Sequence, residues 1–428
     1  MKYTDNTGNI FDSTELEKLI QRPFIDSEDL NQLVKKVFSD IEKNGDESLK
    51  YYTYLFDKVK IEEIKVDKDM INNSSLLSDE LKEAMKLAKN NIDTFHKAQI
   101  QKSAKIETSK GVICWREDRP IEKVGIYVPG GTAPLLSTVL MLGIPAKIAG
   151  CKEIILCTPP NKNGDINPAI LFAADLIGID SIFKVGGIQA IAALTFGTES
   201  IPKVDKIFGP GNQYVTAAKQ ESLKNGLAID MPAGPSEVLI IADKSGIPEF
   251  IAADLLSQAE HGTDSQVILL SDNDEIIKRS QEELQMQLKV LPRKEIAQKA
   301  LENSRAILLN SIQECIELSN IYAPEHLILA IKNPEKYLSQ ISNAGSVFIG
   351  NYSCESAGDY ASGTNHTLPT NGFARNYSGV SIESFMKKIT FQEISKEGLA
   401  NIGPAIELMA EAEQLMAHKN AVSIRLKS

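Results

Sequence analysis

The chain has 428 residues, 43% hydrophobic and 24% charged, which is typical of a globular protein with two or three domains. Its 57 acidic and 46 basic residues give a net charge of -11 with no basic cluster, which argues against nucleic acid as a partner. Five widely spaced cysteines without C-x-x-C spacing argue against a disulfide framework and a cysteine-rich zinc knuckle.

The amino terminus, MKYTDNTGNIFDSTELEKLI, carries acidic residues early and lacks the basic start and apolar middle of a signal peptide. No segment approaches the roughly 18 to 20 uncharged apolar residues that span a bilayer. We therefore expect a soluble, cytoplasmic protein without membrane contact.

Helical patterns dominate the first hundred residues. Apolar residues recur at three- and four-residue spacing in residues 26–57 and 79–99, and both stretches are predicted to be helices. KIETSKGVICWREDRPI, residues 105–121, predicts a short hairpin.

The pattern changes at Lys123 to short apolar runs that alternate with helical segments of about 10 to 15 residues. This alternation predicts βαβ units on a parallel sheet. After a hinge near MPAGPSE it resumes, and we place a second α/β unit from about Gly234 to about Gly350.

The sequence after Gly350 has a different character. Residues 351–379 are rich in Gly, Ser, Asn and Thr and show neither period, which is typical of a functional or disordered segment. The tail from Ser381 to Ser428 holds two helical stretches and a short AVSIRL run, too little to form its own core.

Three predicted strands of the first unit end in glycine-rich turns, each followed by a helix. Exposed N–H groups at a helix N-terminus favour phosphate, but none of the turns is a full G-x-G-x-x-G. Each alone is better explained as a tight turn. Together they favour a ligand site, because ligands bind outside the carboxyl ends of parallel strands. The turns are YVPGG (127–131), VGGIQA (185–190) and FGPGNQY (208–214).

LLSQAEHGTDSQ, residues 255–266, raises the possibility of a metal site. Gln258 and His261 share one face of a predicted helix, and Gly262 follows where a left-handed cap is expected. With His418 and Asp359 they would offer two imidazoles, a carboxylate and an amide oxygen, a set that suits zinc, manganese or cobalt. Taken singly, both histidines fit helix ends and the aspartate fits an Asx turn.

Two further candidates carry reactive side chains. YAPEHLIL pairs Glu325 with His326 at the start of a strand, and both are acid/base groups. Neighbours on a regular strand point to opposite faces, so one site can use both only if the backbone there is irregular. Cys157 could be a thiol nucleophile, but no base is nearby, and a buried cysteine is the simpler interpretation.

Eight stretches resemble the signature blocks of the histidinol dehydrogenase family. They follow the family's order across about residues 110 to 425, with Ile188 as one minor departure, and the helical start also fits. The blocks are VGIYVPGGTAPLLSTVLM, VGGIQAIAALTFGT, GPGNQYV, MPAGPSEVL, LLSQAEHGTDSQ, YAPEHL, GDYASGTNHTLPT and LMAHKNAVSIRL.

The resemblance implies an enzyme with one Zn²⁺ per subunit that oxidises L-histidinol through L-histidinaldehyde to L-histidine. Two NAD are consumed in succession, in the last two steps of histidine biosynthesis. The resemblance also implies a homodimer in which the C-terminal arm of one subunit completes the neighbour's site.

Residue roles follow from the matched blocks. The implied zinc ligands are Gln258, His261, Asp359 and His418. The implied acid/base pair is Glu325 and His326. The implied NAD contacts, one in each glycine-rich block, are Tyr127, Gln189 and Asn212. The positions implied to hold histidinol are Ser236, Glu413, His326 and the four zinc ligands.

Chemical expectations accompany these roles. The metal would orient substrate through its imidazole and amine more than it activates water. Glu413 would pair with the ammonium or the imidazole edge. His326 would take the hydroxyl proton, and Glu325 would activate the water that adds to the aldehyde.

The expected fold is α/β: two incomplete Rossmann-like parallel-sheet domains, a helical N-terminal segment and a small C-terminal helical arm. We expect an N-terminal segment at 1–25, an NAD-contacting domain at 122–234 and a dimer-forming arm at 376–428. Residues 26–121 and 235–375 are expected to form the α/β domain that carries much of the zinc site. Two other classes stay open: a zinc hydrolase, although HExxH is absent, and a non-catalytic small-molecule binding protein.

Overall fold

The protein is described by a computed structural model covering residues 1–7, 19–22, 28–67, 70, 77–101, 103–130 and 134–428. Two parallel sheets and one antiparallel sheet confirm the expected α/β class. The last part of the first glycine-rich block, residues 131–133, lies outside the described residues.

The first parallel sheet has five strands in the order β6-β5-β4-β7-β8. Its strands are β4 (Lys123–Tyr127), β5 (Glu153–Thr158), β6 (Ser181–Lys184), β7 (Lys206–Phe208) and β8 (Ala228–Ile229). The helices that connect them are α3 (Leu136–Ala149), α4 (Pro168–Ile177), α5 (Gly187–Phe196) and α6 (Gln213–Lys224). Buried apolar clusters cover both faces of this sheet, as near-continuous apolar strands require.

The second parallel sheet has six strands in the order β1-β11-β10-β9-β12-β13. Its strands are β1 (Lys2–Asp5), β9 (Glu237–Ala242), β10 (Gln266–Ser271), β11 (Arg305–Leu308), β12 (His326–Ala330) and β13 (Ser346–Ile349). Its helices are α7 (Pro248–Ala259), α8 (Asp274–Val290), α9 (Lys294–Glu302) and α10 (Ile312–Tyr322). Val238 and Ile240 pack on one face and Leu239 and Ile241 on the other, so the core has two layers.

The helices of the first hundred residues are α1 (Glu28–Asp57), which is kinked at Gly45 (φ 51°), and α2 (Asp79–Lys97). The domain prediction grouped residues 26–121 with 235–375, whereas in the structure both helices pack on the five-stranded sheet. Buried residues such as Val37 of α1 and Ile92 of α2 join the clusters on its two faces. Apolar periodicity predicts a buried face, but not which sheet covers it.

The antiparallel sheet has the order β14-β3-β2 and contains the predicted hairpin, β2 (Ile106–Ser109) and β3 (Val112–Pro120). Its outer strand β14 (Met386–Ile394) lies in the tail, where two helical stretches and the short AVSIRL run were expected. The AVSIRL run lies within a helix. The tail helices are α12 (Lys396–Ala412) and α13 (Met416–Lys427), and they pack on each other as a hairpin.

The remaining elements are short. The polar segment after Gly350 contains one helix, α11 (Glu355–Tyr360), where no regular element was expected. Single 3₁₀ turns lie at Pro334–Lys336, Leu338–Gln340, Phe373–Arg375 and Ile382–Phe385. Within the described residues, none of the helices has the length and apolar character needed to span a bilayer.

Candidate active site

A large cavity of about 640 Å³ opens at the carboxyl ends of the five-stranded sheet. Tyr127, Gln189 and Asn212, one from each glycine-rich block, all line it. The volume lies in the range of small-molecule and cofactor sites. The three turns meet here because each follows a parallel strand at the same sheet edge.

Local hydrogen bonds hold these three side chains. The Tyr127 hydroxyl accepts from the backbone N–H of Gly187 at 3.2 Å. Asn212 caps α6 by accepting from the N–H groups of Tyr214 and Val215 at 3.1 and 3.2 Å. Gly186, the N-cap of α5, offers no side chain to cap the helix, so the Tyr127 hydroxyl takes the place of a cap for the first amide, that of Gly187.

Gln189 gives the clearest sign that the large cavity is a ligand site. Its side chain is fully buried, and its Nε2 donates to Asp57 Oδ2 at 3.4 Å. Its Oε1 has no hydrogen-bond partner among the described residues. A buried, unsatisfied amide oxygen is costly, so a donor from a bound molecule would stabilise it.

Glu325 and His326 lie at the amino end of the six-stranded sheet and share one environment. Glu325 precedes β12, after Ala323 with φ 55°, so the irregular backbone that both side chains require is present. Both contact the backbone of Glu237, the first residue of β9. Its N–H donates to Glu325 Oε2 at 2.9 Å, and its carbonyl lies 3.1 Å from His326 Nδ1.

This contact fixes the tautomer of His326. A carbonyl oxygen only accepts hydrogen bonds, so Nδ1 carries the proton and Nε2 keeps its lone pair. Nε2 is buried without a hydrogen-bond partner among the described residues, and Asp359 Oδ1 lies 3.7 Å away. Burial, with His261 and His366 nearby, lowers the pKa of His326 to about 3. The imidazole is therefore a neutral group with an open lone pair.

Three carboxyl groups surround this imidazole. Glu325 Oε2 lies 3.6 Å and Glu355 Oε1 3.9 Å from His326 Nδ1. Burial raises the pKa of Glu325 and Glu355 well above the ordinary value, and each is raised further by neighbouring carboxylates. Burial also raises the pKa of Asp359 to about 7. Such crowding of acids favours a bound cation.

The ligand atoms of His326, Glu355 and Asp359 all lie within 4.8 Å of one another, a spacing that fits a metal site. We call these residues the histidine-carboxylate cluster. It shares Asp359 with the ligand set implied by the sequence. Gln258 adjoins it: in the orientation that satisfies its neighbours, its amide donates to Glu355 and accepts from Glu237 N at 3.2 Å.

The structure differs from the sequence prediction around His261. Helix α7 ends at Ala259 with Glu260 as a right-handed cap, so His261 lies two residues beyond the helix and is exposed. Gly262 does not have positive φ, and the prediction of a left-handed cap is wrong. A Cβ at Gly262 would lie 2.6 Å from Asp264 Oδ1, the end of a side chain that can move aside, so nothing in the structure explains this glycine.

The predicted substrate positions are divided between two places. Ser236 lines a small cavity of about 70 Å³ together with Glu325, His366 and the turn Gly209–Gly211. Glu413 and His418 lie on the α12–α13 hairpin, and both are exposed. Helix α13 has no buried residue.

Sequence reasoning missed Glu355 and Glu237. Glu355 lies four residues before Asp359 on α11, a spacing that puts two carboxylates on one helix face, but the segment was not expected to be helical. Glu237 is an acidic residue at the start of an otherwise apolar strand, and buried charges of this kind need partners. Cys157 is fully buried in β5, and burial raises its thiol pKa, which disfavours a nucleophilic role.

Comparisons with known proteins agree on one family. The family model described as histidinol dehydrogenase matches residues 20–426. A histidinol dehydrogenase of Bacteroides thetaiotaomicron is 57% identical over 412 residues, covering 96% of each chain. The crystal structure of the Elizabethkingia anophelis histidinol dehydrogenase superimposes with a TM-score of 0.97 at 61% identity, covering 100% of this chain and 98% of that one. An acetylating aldehyde dehydrogenase of Geobacillus thermoglucosidasius shares the fold alone, with a TM-score of 0.50 at 13% identity over 88% and 93% of the chains.

Proposed function

The chain belongs to the histidinol dehydrogenase family, NAD-dependent oxidoreductases of the final two steps of histidine biosynthesis, and we propose that one site, completed by a second subunit, performs both oxidations. The family assignment favours oxidation over the alternatives of a zinc hydrolase and a binding protein. The observation that carries the proposal is the buried, neutral His326 with an open Nε2 beside three carboxyl groups.

We propose the large cavity as the NAD site. Support comes from its position outside the carboxyl ends of a parallel sheet and from the unsatisfied Gln189 oxygen. Tyr127, Gln189 and Asn212 would contact the cofactor. When bound, NAD accepts the hydride that each oxidation releases.

We propose that zinc binds beside the histidine-carboxylate cluster, held by Gln258, His261 and Asp359 of one subunit and His418 of the other. The crowded carboxyl groups and the proximity of His261 to His326 support this assignment. Zinc would supply a template that orients the imidazole and amine of histidinol. Ser236 and Glu413 would hold the remaining polar groups of the substrate.

In the first oxidation, His326 Nε2 accepts the hydroxyl proton of histidinol as hydride leaves the same carbinol carbon. The Nδ1 hydrogen bond to Glu237 keeps the ring in the tautomer that this step requires. The product is histidinaldehyde, and His326 returns the proton to solvent before the next step.

In the second oxidation, Glu325 accepts a proton from the water that adds to the aldehyde. The oxygen of the former carbonyl takes a proton back from Glu325, which completes the diol without net loss of a proton. Hydride then leaves the diol carbon while His326 takes one hydroxyl proton, which gives the carboxylic acid. Glu325 suits this role because it is buried within 3.6 Å of His326, and its Oε2 is held by Glu237 N. A buried site also protects the aldehyde from solvent and amines.

We propose a homodimer in which the α12–α13 hairpin crosses to the neighbouring subunit. Within one chain this hairpin leaves large apolar side chains exposed, and its helix α13 buries none. Contiguous apolar surface of this kind marks interaction sites. The exposed residues are Leu408, Met409, Leu415, Met416 and Ile424. We further propose a cytoplasmic location, in agreement with the family's role in histidine biosynthesis.

Metal removal and restoration test the proposed activity. Chelated protein should lose NAD reduction with L-histidinol, and added zinc should restore it, as followed by NADH absorbance. His261→Ala should lose bound zinc and activity together. If a high concentration of the zinc-loaded enzyme forms no NADH, the proposed activity is wrong. If His261→Ala keeps its full zinc content, the assignment of His261 as a ligand is wrong.

A further inference from the structure

Asp57 is the last residue of α1, and its side chain lines the large cavity. Its Oδ2 accepts a hydrogen bond from the side-chain amide of Gln189 at 3.4 Å. Thr158, the last residue of β5, and Pro159, which follows it, also line this cavity. Asp57 is the one carboxylate among the described residues that line this cavity.

The strand order of the five-stranded sheet indicates why the position of Asp57 matters. From β6 to β8 the strands are the third, second, first, fourth and fifth of the unit, which matches the first five positions of the dinucleotide-binding fold. In such folds an acidic residue about 20 residues after the first turn binds the ribose 2′-hydroxyl. Here the acidic residue of that region, Glu153, lies at the amino end of β5 and pairs with Lys123 at 2.9 Å, away from the cavity.

We infer that Asp57 is the cofactor-specificity residue: its carboxylate accepts hydrogen bonds from the ribose hydroxyls of NAD and repels the 2′-phosphate of NADP. The inference rests on the proposed placement of NAD in the large cavity. In this arrangement the acidic residue comes from helix α1 and not, as is usual, from the end of the second strand.

The surroundings of Asp57 support both halves of this role. Burial raises the pKa of its carboxyl to about 6, so the group is mostly ionised at neutral pH. A half-buried carboxylate with one long amide contact gains from hydroxyl donors. A second anionic group would be repelled, and the basic side chain that lines the cavity, Lys162, is exposed to solvent.

Asp57 could instead act only by orienting Gln189. The ratio of the affinities for NADH and NADPH distinguishes this role from a direct contact with the ribose. A change in Gln189 orientation would weaken the binding of NADH and of NADPH to a similar extent, because the two nucleotides differ only in the 2′-phosphate. A direct contact with the ribose changes the ratio of the two affinities. Hydrogen bonds to charged groups and like-charge repulsion each make changes of about tenfold or more.

The test is equilibrium titration of NADH and NADPH, followed by nucleotide fluorescence, against wild type, Asp57→Asn and Asp57→Ala. Wild type should prefer NADH, and both variants should narrow the NADH-to-NADPH affinity ratio by about tenfold or more. Asp165→Asn is the matched control, because it removes an exposed carboxylate that lines the neighbouring cavity. Its ratio should stay at the wild-type value.

A ratio within about twofold of wild type in both variants would overturn the inference, even if both affinities fall. If Asp57→Ala fails to fold, the near-isosteric Asp57→Asn still decides. If the wild-type protein binds NADH but the NADH-to-NADPH affinity ratio is unchanged in both variants, the proposed cofactor site stands and only this inference fails. Wild-type protein that binds neither nucleotide would contradict the cofactor site and this inference together.

Discussion

At the scale of single residues, burial decides the chemistry of several side chains. Asp57 is half-buried, and its pKa of about 6 is above the ordinary value of 3.8. A carboxyl group whose pKa is raised by folding binds protons more tightly in the folded state. Ionised Asp57 therefore destabilises the fold, and this cost is absent when both states are protonated.

We predict that Asp57→Asn raises the thermal midpoint of the cofactor-free protein at pH 7 to 8. The difference from wild type should appear as pH rises through about 4, grow up to about 6 and stay constant above that. Below about 4 the two proteins should melt together. Melting curves across this pH range check the prediction, and a difference independent of pH would contradict it.

Residue types could be predicted from the sequence, but their partners could not. His326 is recognisable as an acid/base group, yet its open Nε2 depends on a carbonyl 89 positions away, that of Glu237. Glu237 is itself held by Arg22 at 2.5 and 2.9 Å, from the N-terminal segment. Contacts between such distant positions leave no local pattern in a single sequence.

At the scale of elements, the two halves of the proposed site lie at opposite strand ends. The large cavity uses the carboxyl ends of the five-stranded sheet, whereas Glu325 and His326 lie at the amino end of β12. The turn Gly209–Gly211 forms part of the small cavity beside Glu325, and Asn212 next to it lines the large one. This turn is the shared wall between the two cavities.

A buried ion pair holds that turn. Lys219 of α6 pairs with Asp230 and donates to the Gly209 carbonyl at 2.9 Å. Asp230 in turn accepts from Gly209 N at 2.8 Å and from Met231 N at 2.7 Å. Gly209 has φ 137°, a conformation that favours glycine, and it packs directly against the Tyr127 carbonyl.

We predict that Lys219→Met destabilises the protein by about 3 kcal/mol, because it leaves Asp230 buried without this partner. The value is at the low end of the usual range, since Lys206 also lies near Asp230. Lys224→Met, on the same helix but in an exposed pair, should cost under about 1 kcal/mol. Urea unfolding measures the free energy of unfolding of both variants. Equal losses of stability would contradict the proposal that the buried Lys219–Asp230 pair holds this turn.

The regular elements were largely predictable because their apolar periods are strong. The edge strands β1 and β14 were missed: they are short or mostly exposed, and their pattern depends on a partner strand far along the chain. The short helix α11 was missed because six residues rich in Gly, Ser and acidic side chains carry little helical signal.

At the scale of the whole molecule, the α12–α13 hairpin is incomplete within one chain. Its sequence already predicted a coreless arm, and its helix α13 buries no residue. His418 and Glu413 are exposed on it, whereas the histidine-carboxylate cluster is formed by α11 and β12. One sequence cannot show where a second copy would place these residues.

We predict that inactive His418→Ala and inactive His326→Ala chains recover activity when mixed as heterodimers. If each site takes His418 from the partner, one site per heterodimer has both histidines intact. Activity should approach half that of wild type per heterodimer, with each variant alone as control. No recovery in heterodimers shown to form would place both residues in the same subunit's site.

We propose that one site performs two successive oxidations without releasing the aldehyde. The most direct test is the ratio of NADH to histidine formed from L-histidinol by the zinc-loaded enzyme, with a carbonyl-trapping amine present. We predict two NADH for each histidine and no trapped aldehyde. A ratio of NADH to consumed histidinol of one, with histidinaldehyde captured by the amine, would contradict it.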